Sequence, residues 1–211
     1  MAKAGFITLA PDFLGYGQSD KPSQLSIEER FQTYTTALQL LSSLSTLNTA
    51  LEKENQVTVR GNTSVGIWGH SNGGQIALSV LEISGRSYPT VLWAPVSKMF
   101  PYSILYYTDE FDDHGKLLRK VLAEFEKEYD VEKYSPTNYF DWIIAPIQLH
   151  QGVLDESVPM IWSDQLAEIL KKKGKDVEYF TYPQENHNFT NGTWPLALSR
   201  SIAFYTTQFA K

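Results

Sequence analysis

The stretch Gly69-His70-Ser71-Asn72-Gly73 decides the fold of this chain, because it matches the pattern Gly-x-Ser-x-Gly. It follows a short apolar run over 65–68 that is typical of a buried strand, and it precedes a helical pattern that opens with glycines. A serine between a strand and a helix sits on a sharp, strained turn, where a base can reach its hydroxyl and small neighbours avoid backbone clashes. The pattern therefore predicts that Ser71 is a nucleophile.

A nucleophilic serine needs a base, and His187 is the best placed of the four histidines. It lies in a polar loop between the last predicted strand and the last predicted helix, which emerges at the carboxyl edge of a parallel sheet. His70 is interpreted as a residue that packs at the end of its strand. His114 is interpreted as part of a solvated capping turn and not as a metal ligand. The ring of His150 is expected to form a hydrogen bond in the turn after its strand.

Asp155 is the candidate for the acid that orients this base. It follows a predicted strand and a glycine turn at Gly152, so its loop also emerges at the carboxyl edge of the sheet. Taken alone, an aspartate there is more often a turn residue or a helix cap. The order Ser71, Asp155, His187, with each residue on a loop at one sheet edge, favours a catalytic triad.

Strand-like apolar runs alternate with longer helical patterns along the whole chain. This alternation predicts an α/β fold, a mostly parallel sheet with helices on both faces, in a single domain over 1–211. An aromatic-rich segment over 97–141 interrupts the rhythm and is interpreted as a cap-like insertion within that domain. The predicted strands are Phe6–Ala10, Val65–Trp68, Thr90–Trp93, Ile143–His150 and Val177–Tyr182.

The chain resembles an α/β-hydrolase, and specifically the catalytic domain of the prolyl oligopeptidase family and its esterase-like relatives. That resemblance implies that Ser71 is the nucleophile, that His187 is the general base and then the acid, and that Asp155 orients His187. It also implies that the backbone N–H of Asn72 is one oxyanion donor. The stretches that carry the resemblance span nearly the whole chain, at 10–19, 66–74, 134–139, 150–159 and 185–189.

The resemblance also sets expectations for the start of the chain. Relatives have a strand and a loop before the Ala10-Pro11-Asp12 segment, the loop supplies a second oxyanion donor, and this sequence begins after it. The expected fold is therefore a three-layer α/β-hydrolase type, truncated at its N-terminus and lacking a β-propeller. We expect the strand at Phe6–Ala10 to pair within the sheet. We also expect the apolar surface that the missing layer leaves exposed to favour a homodimer. Because only one oxyanion donor, the N–H of Asn72, is assured, the rate of turnover is expected to be slow.

Composition excludes several classes of function. The net charge is −6 and no basic stripe interleaves with aromatic residues, so nucleic acid is not an expected partner. No apolar run approaches the ~20 residues of a membrane span, and a cytoplasmic location is expected. The chain has no cysteine, which excludes disulfides, thiol catalysis and Cys-ligated zinc. No metal and no cofactor are predicted.

The leading hypothesis is a serine hydrolase of carboxylic esters, with side activity on amide or aminoacyl substrates. The alternatives are a prolyl oligopeptidase-type aminopeptidase or acylaminoacyl-peptidase, and a catalytically impaired fragment that serves as a binding scaffold. Small-molecule esters or short peptides are the expected partners. Trp93 and Tyr102 are candidates for an acyl or aryl pocket, although core packing explains Trp93 and a surface lid explains Tyr102 equally well.

Overall fold

A computed structural model describes residues 1–24, 26–55 and 64–211. The chain divides into two compact units, one formed by Met1–Ile7 with Gly66–Lys211 and the other by Thr8–Val65. The smaller unit contains the long helix α1 (Ser26–Asn55). Before α1, Asp12 organises a loop: its side chain accepts a hydrogen bond from the backbone N–H of Gln18, and its carbonyl accepts one from the Ser19 hydroxyl.

The larger unit is built on a four-stranded sheet in which every pairing is parallel. Its strands lie side by side in chain order: β1 (Ile67–His70), β2 (Thr90–Trp93), β3 (Ile147–Gly152) and β4 (Val177–Tyr182). The register places His70 beside Trp93 and Trp93 beside His150. The carboxyl ends of all four strands therefore meet at one edge of the sheet, where loops that follow different strands can combine their side chains.

Three helices pack on the sheet: α2 (Asn72–Ser84) between β1 and β2, α5 (Met160–Lys172) between β3 and β4, and α6 (Trp194–Phe209) after β4. Two more helices, α3 (Tyr102–Leu105) and α4 (Lys116–Glu128), lie in the segment between β2 and β3. Single 3-10 turns lie at Ala2–Ala4, Thr108–Glu110, Val131–Tyr134, Pro136–Asn138 and Phe140–Trp142. The predicted insertion at 97–141 lies within the larger unit, and its interpretation as a cap stays a prediction.

Alternate residues of the strands pack into two separate cores because successive side chains of a strand point to opposite faces. On one face, Leu92 and Leu149 pack with helices α2 and α5. On the other face, Val91 and Trp93 pack with helix α6. Helices thus cover both faces of a parallel sheet, and the predicted α/β-hydrolase fold class is confirmed.

The predicted strand at Phe6–Ala10 is wrong. None of these residues forms a strand, and Ile7 and Leu9 are exposed. Phe6 instead packs its ring edge-on against Tyr205 and Phe209 of α6. A strand is stable only when a neighbour accepts and donates its backbone hydrogen bonds, and an apolar run does not by itself supply that neighbour.

Among the described residues, no helix combines the length and the apolar character that crossing a lipid bilayer requires.

Candidate active site

Ser71 occupies a sharp turn between a strand and a helix. β1 ends at His70, α2 begins at Asn72, and Ser71 between them has φ 56° and ψ −122°. A positive φ is unfavourable for a residue with a side chain, so the surrounding backbone must hold it. The N–H of Ser71 donates to the carbonyl of Trp93 (2.9 Å), and its own carbonyl accepts from the N–H groups of Gly74 and Val96 (3.0 Å each). These bonds fix the serine on a nucleophile elbow.

Two glycines make this turn possible. A Cβ atom on Gly69 would lie 2.7 Å from the carbonyl carbon of Gly73 and 2.9 Å from the nitrogen of Gly74. A Cβ atom on Gly74 would lie 2.5 Å from Cβ of Pro95. Gly73 differs, since a Cβ atom there would have nothing within 4 Å. The requirement for small neighbours therefore falls on Gly69 and Gly74, and the last glycine of the pentapeptide has room for a side chain.

This contrast gives a matched pair of variants within one motif. Gly69→Ala pushes a methyl group into the backbone at the start of α2, which should cost about 1–3 kcal/mol of stability and displace Ser71. Gly73→Ala adds a methyl group in open space and improves helix propensity, so its stability should equal or exceed that of the parent. Thermal unfolding and the rate of fluorophosphonate labelling measure both effects. Equal tolerance of the two alanines would contradict this account of the turn.

His187 and Asp155 form a hydrogen-bonded pair at the carboxyl edge of the sheet. Asp155 lies in the loop after β3, and His187 lies in the loop between β4 and α6. Nδ1 of His187 is 3.0 Å from Oδ1 and 2.9 Å from Oδ2 of Asp155. The Asp155 side chain is fully buried, and the His187 side chain is 9% exposed. The Nδ1–H donates to the carboxylate, which leaves Nε2 as the acceptor that a general base requires.

The surroundings of Asp155 favour its ionised form. Oδ1 accepts hydrogen bonds from the backbone N–H groups of Ser157 (2.9 Å) and Val158 (2.7 Å). Burial, the largest single influence, raises the pKa of Asp155, but the hydrogen bonds from His187, Val158 and Ser157 together hold that pKa below its usual value. The group therefore stays a carboxylate that can accept a hydrogen bond from Nδ1–H of His187.

Two glutamates organise the loop that carries His187. Glu185 is fully buried, and its carboxylate accepts from the N–H groups of Asn191 (2.9 Å) and Thr193 (2.5 Å) and from the Thr193 hydroxyl (2.7 Å). Glu156 accepts from the N–H of His187 at 3.2 Å. Burial raises the pKa of Glu185, but the bonds from Thr193 and Asn191 lower it more. The sequence offers no pattern that identifies either role.

His70 links the elbow to the loop of His187. Its Nε2–H donates to the carbonyl oxygen of His187 (2.9 Å), and the two imidazole rings lie 4.6 Å apart. Burial, followed by repulsion from a charged His187, holds the pKa of His70 below its usual value. This contact brings Ser71, the next residue after His70, beside His187. Although both residues are described, no hydrogen bond joins the Ser71 hydroxyl to His187. Catalytic hydrogen bonds commonly tighten only when substrate binds.

The other two histidines lie away from this group. His150 is fully buried on β3, where its Nε2–H donates to Gln148 (2.8 Å) and its Nδ1 accepts from the Tyr182 hydroxyl (2.7 Å). Burial and the nearby charge of Arg200 lower the pKa of His150 to about 3, so the ring stays neutral as part of the core. His114 is exposed at a turn before α4. Among the described residues, no cluster of three or more histidine or carboxylate side chains could hold a metal ion.

The two predicted pocket residues have different surroundings. Trp93 is 1% exposed, and its indole packs within the core on the face of α6, with Phe189 and Trp194 as ring neighbours. Its assignment to a substrate pocket is wrong, because an indole enclosed by core side chains presents no surface to a ligand. Tyr102 is 46% exposed and contacts Tyr106, so a role at the surface of the site remains a prediction.

The fold and this site define a class of protein, the α/β-hydrolases with a serine, a histidine and an aspartate at the carboxyl edge of the sheet. The family model of the prolyl oligopeptidase family, peptidase family S9, matches residues 1–211. The chain therefore belongs to the prolyl oligopeptidase family and is a serine hydrolase of that peptidase family.

Individual relatives agree with this placement. The chain is 27% identical over 212 residues to the uncharacterized peptidase YtmA of Bacillus subtilis, covering 100% of this chain and 74% of that protein. A puromycin-hydrolyzing peptidase of Mycobacterium tuberculosis matches with a TM-score of 0.54 and 25% identity, over 67% of this chain and 22% of that one. For the acylaminoacyl peptidase of Pyrococcus horikoshii, the TM-score is 0.55 and the identity 19%, over 89% of this chain and 28% of that one.

The lengths and names of these relatives bear on the function. The chain spans most of the Bacillus protein but less than a third of either solved chain. The matches favour a peptidase, the alternative of the sequence analysis, over the carboxylesterase that was its leading hypothesis.

Proposed function

We propose that this chain is a serine peptidase that hydrolyses an amide bond in short peptides or acylated amino acids through an acyl-enzyme on Ser71. Membership of the prolyl oligopeptidase family supports the reaction class. The names of two similar proteins, a puromycin-hydrolyzing peptidase and an acylaminoacyl peptidase, support an amide substrate with an aminoacyl or acylaminoacyl group.

The observation that carries the proposal is the contact between the nucleophile elbow and the base loop. Ser71 sits on a positive-φ turn, His70 before it touches His187 through both its ring and its Nε2, and His187 donates to the buried Asp155. A serine hydroxyl is a weak nucleophile unless a base removes its proton. This arrangement supplies a base beside the serine and an ionised acid behind the base.

The first half of the reaction uses the free nitrogen of His187. Nε2 takes the proton of the Ser71 hydroxyl while Oγ attacks the carbonyl carbon of the substrate. The imidazolium is stabilised by the Asp155 carboxylate at 2.9 Å. The developing oxyanion lies near the N-terminus of α2, where the N–H of Asn72 and the positive end of the helix dipole favour negative charge. Nε2 then gives its proton to the leaving amine, and the acyl group stays on Oγ.

The second half repeats these steps with water. Nε2 removes a proton from a water molecule, and the water oxygen attacks the acyl carbon. Nε2 then returns the proton to Ser71 Oγ as the carboxylic acid departs. Each proton that His187 accepts is released within the same half-reaction, so the enzyme returns to its starting state.

An aromatic cluster beside the elbow supports an apolar side chain in the substrate. Tyr102 and Tyr106 lie 6.1 Å and 4.9 Å from the indole of Trp162, by ring centroids. Trp162 packs with Val96, whose N–H donates to the Ser71 carbonyl. We infer from this series of contacts that the exposed rings of Tyr102 and Tyr106 offer an aromatic surface to the substrate, which favours an aliphatic or aromatic group next to the scissile bond.

A comparison of amide and ester substrates tests this function. Aminoacyl and N-acetylaminoacyl p-nitroanilides with leucine or phenylalanine should be hydrolysed, and fluorophosphonate should modify Ser71 alone when the site is mapped by mass spectrometry. The corresponding p-nitrophenyl esters test the nucleophile separately, because their leaving group is not an amine. Turnover of esters without any turnover of anilides would return the assignment to a carboxylesterase. No labelling of Ser71 would reject the serine hydrolase mechanism itself.

A further inference from the structure

Gln151 on β3 is completely buried, and its amide is fully hydrogen-bonded. Its Nε2 lies 2.9 Å from Oδ2 of Asp155, and 3.1 Å and 3.3 Å from the carbonyl oxygens of Gly152 and Val158. Its Oε1 accepts a 2.7 Å hydrogen bond from the hydroxyl of Ser163, a fully buried residue of α5. Turning the amide over would break these bonds, so its N–H groups are fixed toward Asp155.

The contact with Asp155 falls on the oxygen that also faces the base. Oδ2 is 2.9 Å from Nε2 of Gln151 and 2.9 Å from Nδ1 of His187. Oδ1, which is 3.0 Å from Nδ1 of His187, accepts in addition from two backbone N–H groups of its own loop. Gln151 is therefore the side chain other than His187 that donates to this carboxylate, and a hydrogen bond to a charged acceptor in a buried site is stronger than a neutral one.

We propose that Gln151 is a positioning residue of the catalytic acid: it holds Oδ2 of Asp155 in line with Nδ1 of His187 and shares the negative charge of that oxygen. This inference rests on the proposed function of Ser71, Asp155 and His187. Ser163 of α5 holds the Gln151 amide in place through its hydroxyl. A hydrogen-bonded link therefore runs from Ser163, through Gln151, to the Asp155 carboxylate that orients His187.

A matched control, Gln148, lies three residues earlier on the same strand. Gln148 is 2% exposed, and its side chain contacts His150 and Glu178. Both glutamines are thus buried amides of β3 with full hydrogen bonding, but only Gln151 reaches Asp155. If Gln151 had a purely structural role, substitutions of Gln151 and of Gln148 would have the same effect on the site.

The sharper test adds a charge without changing size. In Gln151→Glu a second carboxyl lies against Asp155, and two carboxylates in contact share one proton until the pH is raised. The shared proton takes part of the negative charge of Oδ2, so the hydrogen bond that this oxygen accepts from Nδ1–H of His187 should weaken, and the NMR resonance of that Nδ1–H proton should move upfield. Raising the pH removes the shared proton and should reverse the change. The other titratable groups beside the pair are His187, His70 and Glu156, and all three are unchanged in the variant.

Histidine-selective NMR of the Nδ1–H proton measures this directly, because the chain has four histidines and His187→Gln identifies the signal. An upfield Nδ1–H resonance in Gln151→Glu supports the link. An unchanged resonance overturns it. The measurement needs no substrate, so it decides the link even if Ser71 proves unreactive, in which case the proposed function fails by a separate result.

Removing the donor gives the second readout. Gln151→Leu should slow fluorophosphonate labelling of Ser71 about tenfold or more, since a hydrogen bond to a charged group is lost. Gln148→Leu, with folding verified by circular dichroism, should be labelled at the parent rate. Equal losses in the two leucine variants would show that Gln151 only supports the fold. Should Gln151→Leu fail to fold, the Nδ1–H resonance of His187 in Gln151→Glu still decides the proposal.

Discussion

Replacing Ser71 by alanine is expected to abolish fluorophosphonate labelling and to lower kcat by about 10⁴-fold or more. The reason is local. Ser71 is the residue that the elbow holds at φ 56°, beside the imidazole pair of His70 and His187. Without its hydroxyl no acyl-enzyme can form, whereas the oxyanion donor and the base remain. Labelling with mass-spectrometric mapping and single-turnover hydrolysis of an aminoacyl p-nitroanilide measure the loss.

A second serine of the same helix serves as the control. Ser84 ends α2, and its hydroxyl accepts a hydrogen bond from the N–H of Arg86 at 3.3 Å, far along the helix from the elbow. Ser84→Ala should therefore keep the parent rates of labelling and hydrolysis. Labelling that persists in Ser71→Ala, or that maps to another residue, would remove Ser71 from the role of nucleophile.

The parallel sheet was predictable because its strands carry strong local signals. Thr90–Trp93 and Val177–Tyr182 have the predicted bounds, since both are apolar or β-branched runs between turn residues. The predicted strand at Ile143–His150 begins later, at Ile147, and runs on to Gly152. Pro146 explains the late start, because its ring restricts the residue before it and removes a backbone donor. Pairing of Gln151 and Gly152 with β4 explains the extension.

The start of the chain shows where local patterns fail. Phe6–Ala10 has the apolar character of a strand, but strand formation depends on a neighbouring backbone that no local pattern reveals. Trp93 shows the same limit for a side chain, because an aromatic residue near a nucleophile suits a pocket and a core equally well in sequence. Only the position of α6, which covers the indole, separates the two.

The candidate triad was predictable from order and loop position, but its supporting residues were not. Ser71, Asp155 and His187 each follow a strand in a polar or glycine-rich loop, and the topology of a parallel sheet places such loops together. Glu185 and Gln151 act through side-chain hydrogen bonds to the segments that follow them, and no sequence pattern specifies these bonds. Polar residues inside a strand that is buried throughout, as at Gln151 on β3, are the weak signal that the sequence offers.

Asp155→Asn is expected to lower kcat by about 10³-fold or more while leaving the fold intact. The amide has one oxygen where the carboxylate had two. Oδ1 accepts from two backbone N–H groups, at Ser157 and Val158, whereas Oδ2 accepts from the one amide of Gln151, so the amide oxygen is favoured at the Oδ1 position. The NH₂ group then lies at the Oδ2 position, 2.9 Å from Nδ1 of His187, and its donation to Nδ1 favours the tautomer with the proton on Nε2, which cannot accept a proton from Ser71. The imidazolium also loses the negative charge that stabilises it.

His187→Ala should cost at least as much, because it removes the base itself. Controls come from residues of the same types outside the site. Asp113 also accepts from two backbone N–H groups, at Gly115 and Leu117, and His114 is exposed, so Asp113→Asn and His114→Ala should retain the parent kcat.

The pH dependence separates the loss of a charged acid from a general loss of structure. The pKa of Asp155 lies below its usual value, so its carboxylate persists as the pH falls toward that pKa, and its support of the base is lost only below it. In Asp155→Asn this charge is absent at every pH. The ratio of the parent kcat/KM to that of the variant should therefore be constant near neutral pH and should shrink in acid, where the parent carboxylate becomes protonated. A variant with near-parent rates at every pH would transfer the orienting role to another residue. A large loss of rate near neutral pH, in a protein whose circular dichroism matches that of the parent, is the result that the hydrogen-bond geometry requires.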